Sequence, residues 1–296
     1  MSSAAARAAF DNQSPTTPIP VRAWRVIAVI FQIVAIWLGS ILVMPWLSRP
    51  RRKRMIARFA GRMLRGLNVQ VRISGTLPSA RRPIVFVANH VSWLDPHLLN
   101  LVSGARFIAK QEVASYPLFG TIVRQFGAIF IRRGSIRDAY RVKSEAAATL
   151  SNGEHVAFFP EGTTSTGTRI NYFYPALFQA AVESSATVQP IAIRWHHADG
   201  RLNLDAGFID DMTLVQSIAL MLKHRVLYAE VTLCEPLEAA GATRTDLAHR
   251  TRARIAEKLE LDSLAPRPRR MPWEDYTSDR PYSSESPPSR TALTTN

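Results

Sequence analysis

Five apolar residues, Ile84-Val85-Phe86-Val87-Ala88, run without interruption into Asn89-His90-Val91-Ser92-Trp93-Leu94-Asp95. The run is short, rich in β-branched residues and preceded by Pro83, so it reads as a buried strand. A strand of this kind carries His90 to the surface, and the following turn brings Asp95 back to it. On one straight helix, positions five apart differ by about 500° of rotation and do not share a face. The spacing therefore puts His90 in a loop or first turn and Asp95 inside the next helix. An imidazole held by a carboxylate on one nitrogen can take a proton on the other. An isolated H-x4-D is more often a helix-start histidine with a solvated aspartate, so the rest of the chain has to decide.

Strand-like runs recur at 69–73, 84–88, 107–109, 128–131, 156–159, 188–193 and 226–233, with helical patterns at 95–101, 118–124, 136–150 and 176–183 between most of them. This alternation predicts an α/β fold, a largely parallel sheet flanked by helices. Residues 245–260 read as a charged amphipathic helix with Thr245 as its N-cap. Two further strands deliver polar turns. Phe126-Gly127-Ala128-Ile129-Phe130-Ile131 ends in Arg132-Arg133, a pair suited to chelating phosphate oxygens. Val156-Ala157-Phe158-Phe159-Pro160 leads into Glu161-Gly162-Thr163-Thr164-Ser165, where glycine permits close backbone approach and the hydroxyls can bind an anion.

The N-terminal part has a different character. Residues 1–20 are Ala/Ser/Pro/Thr-rich and read as disordered, and from 263 onward a Pro/Ser/Arg-rich tail, 263–296, reads the same way. Residues 26–44 are almost wholly apolar, a length of about 28 Å as helix, which approaches the hydrocarbon thickness of a bilayer. Trp24 and Trp46 lie near the ends, Gly39 and Pro45 leave room for a kinked or re-entrant segment, and no small-residue cleavage site follows. A basic amphipathic helix over 51–66 comes next, with Arg51, Arg52, Lys53, Arg54, Arg58, Arg62 and Arg65 among its apolar residues. Residues 21–66 thus form a membrane-embedded helical anchor, and the basic excess after it predicts an inner-membrane protein whose 67–262 domain faces the cytoplasm.

The net charge of +14 over 296 residues calls for an anionic partner. Cys234 is the sole cysteine, which excludes an intrachain disulfide, and its strand-like context suits a small core residue better than a nucleophile. Adjacent His196 and His197 point to opposite faces if they continue a strand, so they read as loop residues rather than metal ligands. No metal-binding spacing and no G-x-S-x-G nucleophile elbow is present.

The blocks around His90, Arg132 and Glu161, with the strand 188–193, resemble in order and separation the glycerolipid acyltransferase family over residues 69–193. Asn89, His90 and Asp95 match the family's N-H-x4-D, and Phe159, Pro160, Glu161, Gly162 and Thr163 match its F-P-E-G-T. Lys110, Pro117 and Gly120 also stand where such enzymes often carry them. Two positions depart: Arg132 replaces an acidic residue ahead of Arg133, and Thr164 replaces an arginine usually thought to hold the acceptor's phosphate. The resemblance implies transfer of a fatty acyl group from a thioester to the free hydroxyl of a lysolipid, first of all 1-acyl-sn-glycerol-3-phosphate to give phosphatidate. Lyso-ornithine lipid or another lysophospholipid is the alternative acceptor, to which Thr-Thr versions of the motif point. It implies His90 as general base, Asp95 as its orienter, and Arg132, Arg133, Glu161, Gly162, Thr163, Thr164 and Lys110 as substrate-binding residues, with backbone amides near Gly162 available to an oxyanion. Acyl-coenzyme A or acyl carrier protein would be a co-substrate, with no cofactor and no metal, and membrane lipids rather than nucleic acid would be the partners. A membrane-anchored basic binding protein is the rival of another class, and a lipid hydrolase is a second.

Overall fold

The computed structural model describes residues 16–78, 82–132, 136–209, 212–261 and 266. Arg133 and almost all of the tail beyond 261 lie outside them. A mixed, mostly parallel eight-stranded sheet forms the centre. Its strands are β1 (Val69–Ser74), β2 (Ile84–Ala88), β3 (Arg106–Lys110), β4 (Ile129–Ile131), β5 (Val156–Phe158), β6 (Thr187–His196), β7 (Leu227–Leu233) and β8 (Leu237–Glu238). The order is β1-β7-β6-β2-β5-β3-β4, with β8 paired to β6. β6 runs antiparallel to β7 and β8, and the remaining pairs are parallel. The chain crosses between parallel neighbours through helices, which cover both faces of the sheet.

β2 lies between β5 and β6 and is buried along its whole length. Its side chains divide with period two. Ile84, Phe86 and Ala88 join one apolar layer with Leu94, which precedes α3 (Asp95–Asn100), Leu98 and Leu99 of α3, Met63 and Leu64 of α2 (Arg49–Gly66), Val29 and Ile36 of α1 (Ile19–Leu42), and Ile122 of α4 (Phe119–Gln125). Met221 and Leu222 of α7 (Leu214–Lys223) complete that layer. Val85 and Val87 join the opposite layer with α5 (Ile136–Ser151), α6 (Gln179–Glu183) and α8 (Arg244–Lys258).

Several boundaries differ from those the sequence predicts. α1 begins at Ile19, inside the stretch read as disordered, because Pro18 and Pro20 fall at its start, where a missing N–H costs nothing. Thr17 is buried, and its N–H donates to Lys223 O at 2.8 Å. α1 runs without a break through Gly39; a Cβ there would stand 3.0 Å from the Phe59 ring of α2, so the glycine lets the two helices close on each other. Pro45 sits instead in the 3-10 turn Met44–Trp46 that reverses the chain. Thr243, not Thr245, caps α8, its hydroxyl accepting from Asp246 N at 3.1 Å. His196 is the last residue of β6 rather than a loop residue. The 176–183 helix is a 3-10 turn, Pro175–Phe178, followed by α6.

α1 is long and apolar enough to cross a membrane. It is nevertheless fastened to the domain along its length. Arg25 donates to the carbonyls of His224 at 3.0 Å and Arg225 at 2.8 Å, while Val29 and Ile36 enter the core. Its other side presents Trp24, Ile27, Phe31, Leu38 and Leu42 to the outside, continued by Trp46 at 87% exposure.

Candidate active site

The carboxyl ends of β2, β5 and β6 meet at the edge of the sheet where open α/β folds place their ligands. Asn89 leaves β2 and bridges to β6: its amide donates to Ile193 O at 2.9 Å, and its carbonyl accepts from Ile193 N at 2.8 Å. The turn that follows presents His90. Asp95 opens α3, as the spacing predicts, and its Oδ2 lies 2.9 Å from His90 Nδ1. The same oxygen accepts from the N–H groups of Val91 at 2.7 Å and Ser92 at 2.8 Å, and Oδ1 accepts from Trp195 Nε1 at 2.9 Å. Four donors thus satisfy a carboxylate with no exposed surface, the condition for burying such a charge. The imidazole keeps 19% exposure and stacks on Phe159, ring centroids 4.0 Å apart. The partner on Nδ1 fixes the tautomer with its proton there, which leaves Nε2 as the acceptor.

The turn after β5 grips the backbone of His90 from both sides. Glu161 Oε1 accepts from His90 N at 2.7 Å, and His90 O accepts from Ser165 N at 2.8 Å and from the Ser165 hydroxyl at 3.2 Å. Glu161 is buried, and its Oε2 accepts from Asn171 N at 2.9 Å. Both of its oxygens are thus taken by main-chain donors, one of them the N–H of His90. Gly162 takes a φ of 69°, which turns the chain back over the site. Its own N–H donates to Phe159 O at 3.2 Å. Thr164 donates its hydroxyl to Phe208 O, and Phe208 N donates to Val91 O at 2.9 Å, which ties the 203–208 segment to the turn that carries His90. Thr163 is exposed.

Other expected residues lie further out. Arg132 is exposed at the end of β4, with its N–H bonded to Asp138 Oδ2 at 2.7 Å. Lys110 is exposed at the end of β3. Burial pushes the Cys234 thiol up to about 11, which suits an inert residue. Sequence reasoning missed Trp195, hidden in an apolar strand run, and Arg252 of α8, one of several arginines on a charged helix. No short-range signal marks either residue.

Burial raises the Glu161 carboxyl from its ordinary value to about 7, against the hydrogen bonds from His90 and Asn171. A folded-state value above the unfolded one means that the folded state holds the proton more tightly. The resulting stability is complete below about pH 4.5 and is lost as pH rises through 7. Wild-type stability is therefore expected to fall relative to Glu161→Gln by on the order of 3 kcal/mol between about pH 5 and pH 8. Thermal unfolding in detergent across that range tests this, and parallel pH profiles contradict it.

Comparisons with known proteins identify the family and the fold. The acyltransferase family profile matches residues 68–194. Lyso-ornithine lipid O-acyltransferase of Pseudomonas aeruginosa is 35% identical over 216 residues, covering 73% of this chain and 81% of that protein. 1-acyl-sn-glycerol-3-phosphate acyltransferase of Neisseria meningitidis serogroup B is 33% identical over 159 residues, covering 54% of this chain and 62% of that protein. The crystal structure of the 1-acyl-sn-glycerophosphate acyltransferase PlsC from Thermotoga maritima shares the fold, with a TM-score of 0.62 at 22% identity over 82% of this chain and 94% of that one. With the motif residues of the sequence gathered around one histidine, the chain belongs to the acyltransferase family, among relatives named as O-acyltransferases of lysolipids.

Proposed function

We propose that this enzyme transfers a fatty acyl group from a thioester to the free hydroxyl of a lysolipid, with His90 as general base. The observation that carries the reading is the pairing of a partly open imidazole with a closed carboxylate, 2.9 Å from Nδ1 to Oδ2. Nε2 takes the hydroxyl proton as the acceptor oxygen attacks the thioester carbonyl. The carbon–sulfur bond then breaks, and the leaving thiolate takes the proton back from the imidazolium. Asp95 stabilises that imidazolium without becoming protonated. No enzyme nucleophile is needed. The thioester is a coenzyme A or carrier-protein conjugate, either of which suits a protein of net charge +14.

The acceptor we favour is lyso-ornithine lipid. Thr164 offers no cation to a phosphate monoester, and its hydroxyl is engaged by Phe208 O. Arg132 supports a second reading, in which lysophosphatidate is held by a guanidinium at the end of β4. Acylation of the two acceptors in parallel, by wild type and by Thr164→Arg, separates them. We expect wild type to favour lyso-ornithine lipid and the variant to gain about tenfold in relative kcat/KM for lysophosphatidate, the scale of one charge-assisted phosphate contact. A wild-type preference for lysophosphatidate would assign the phosphate to Arg132.

The membrane supplies and receives the lipids. The outward apolar face of α1 enters the cytoplasmic leaflet of the inner membrane, while the attachments at Arg25 and in the core keep the domain against it. Arginines on α2 meet anionic head groups.

A further inference from the structure

Glu161 and Arg252 hold opposite ends of a single peptide group. The Ile170–Asn171 peptide accepts a hydrogen bond at its carbonyl from Arg252 Nη2 at 2.8 Å, and its N–H donates to Glu161 Oε2 at 2.9 Å. The other oxygen of Glu161 holds His90 N at 2.7 Å. Arg252 is therefore joined to the base through one peptide and one carboxylate, although it lies 82 residues beyond Ile170 in sequence. The guanidinium also lies 6.0 Å from the centroid of the Tyr172 ring, which confines it from the side.

We propose that Arg252 is a positioning residue for acyl transfer: it anchors the Ile170–Asn171 peptide so that Glu161 holds the backbone of His90 in register with Asp95. The chemistry favours a cation here. A guanidinium on the carbonyl polarises the peptide and strengthens the N–H bond to the carboxylate, and its positive charge favours the ionised form of Glu161. The charged and titratable groups around Glu161 are Arg252 from α8, Asp95 from α3, His90 from the turn after β2 and, beyond Arg252, Tyr172. Asp95 opposes ionisation and Arg252 supports it, so the arginine offsets the like charge that the catalytic pair itself brings close. A base whose ring must meet a hydroxyl within hydrogen-bond reach is sensitive to small displacements of its backbone.

This inference rests on the reading of His90 as base, and the test keeps the two apart. Acyl transfer is measured for wild type, Arg252→Gln, Arg252→Lys, Glu161→Gln and the two double variants, with His90→Ala alongside. Arg252→Gln keeps a donor for the carbonyl and loses the charge; Arg252→Lys keeps the charge. The expected result is an approximately tenfold loss of kcat in Arg252→Gln with KM within about twofold, recovered mostly in Arg252→Lys. In the Glu161→Gln background, Arg252→Gln adds less than about a twofold further loss, because the link is already cut. Losses that multiply in the two backgrounds, or that fall on KM, overturn the proposal and leave Arg252 a structural or substrate-contacting residue. If Arg252→Gln fails to fold, Arg252→Met, which keeps the apolar stem and loses the charge and the donor, takes its place in the same two backgrounds: equal fractional losses in both again overturn it. Retained transfer in His90→Ala defeats the base assignment itself, and the positioning role with it.

Discussion

His90→Ala is expected to abolish acyl transfer while leaving the fold intact. A positioned base contributes about 10²- to 10⁴-fold in rate, and in the proposed mechanism the same side chain would both remove the hydroxyl proton and return it to the leaving thiolate, so the expected loss lies at the upper end of that range or beyond. The fold is expected to survive because the interactions that shape the turn use the backbone of His90, not its ring. Its N–H goes to Glu161 and its carbonyl to Ser165, and an alanine keeps both. What the ring gives up is its stack on Phe159 and its bond to Asp95. Turnover assays together with a thermal melt check both halves. Retained activity would remove His90 from the chemistry.

Asp95→Asn is expected to damage activity and stability together. The carboxylate is fully buried and accepts from four donors: His90 Nδ1, the N–H groups of Val91 and Ser92, and the Trp195 indole. An asparagine fits the space but must place its NH₂ against either the indole N–H or two backbone N–H groups. Donor then faces donor in the interior, at a cost of about 2–4 kcal/mol. The imidazole also loses the partner that fixes its tautomer and stabilises its charged form, so transfer falls by a factor on the order of 10³ or more. Trp195→Phe leaves Oδ1 without its donor but keeps the other three contacts, which makes the aspartate variant the more severe of the two. A stable Asp95→Asn enzyme with near-normal turnover would mean that the carboxylate serves neither role.

Much of this site is legible in the sequence because it depends on local geometry. Uninterrupted apolar runs identify β2 and β5, and the five-residue separation of His90 from Asp95 excludes a common helix face, so the turn and the helix start follow. The task of Glu161 is not legible in the same way. In sequence it is a polar residue in a turn, and only the fold shows it buried with two backbone donors, one of them the N–H of His90. Trp195 and Arg252 act across elements separated by the whole domain, and neither periodicity nor composition reports such pairs. The start of α1 was obscured by prolines that suit a helix's first turn as well as a disordered segment. For α7 a signal existed: Thr213 and Gln216 form a reciprocal capping box ahead of an apolar helix.

The most direct measurement follows the acyl group itself. Purified enzyme in mixed micelles is given labelled acyl-coenzyme A or acyl-carrier protein, with and without a lysolipid, and free thiol, new ester and free fatty acid are quantified together. The expected result is one thiol released per ester formed, only when acceptor is present. Release of free fatty acid at the same rate without acceptor would make the protein a hydrolase and contradict the account.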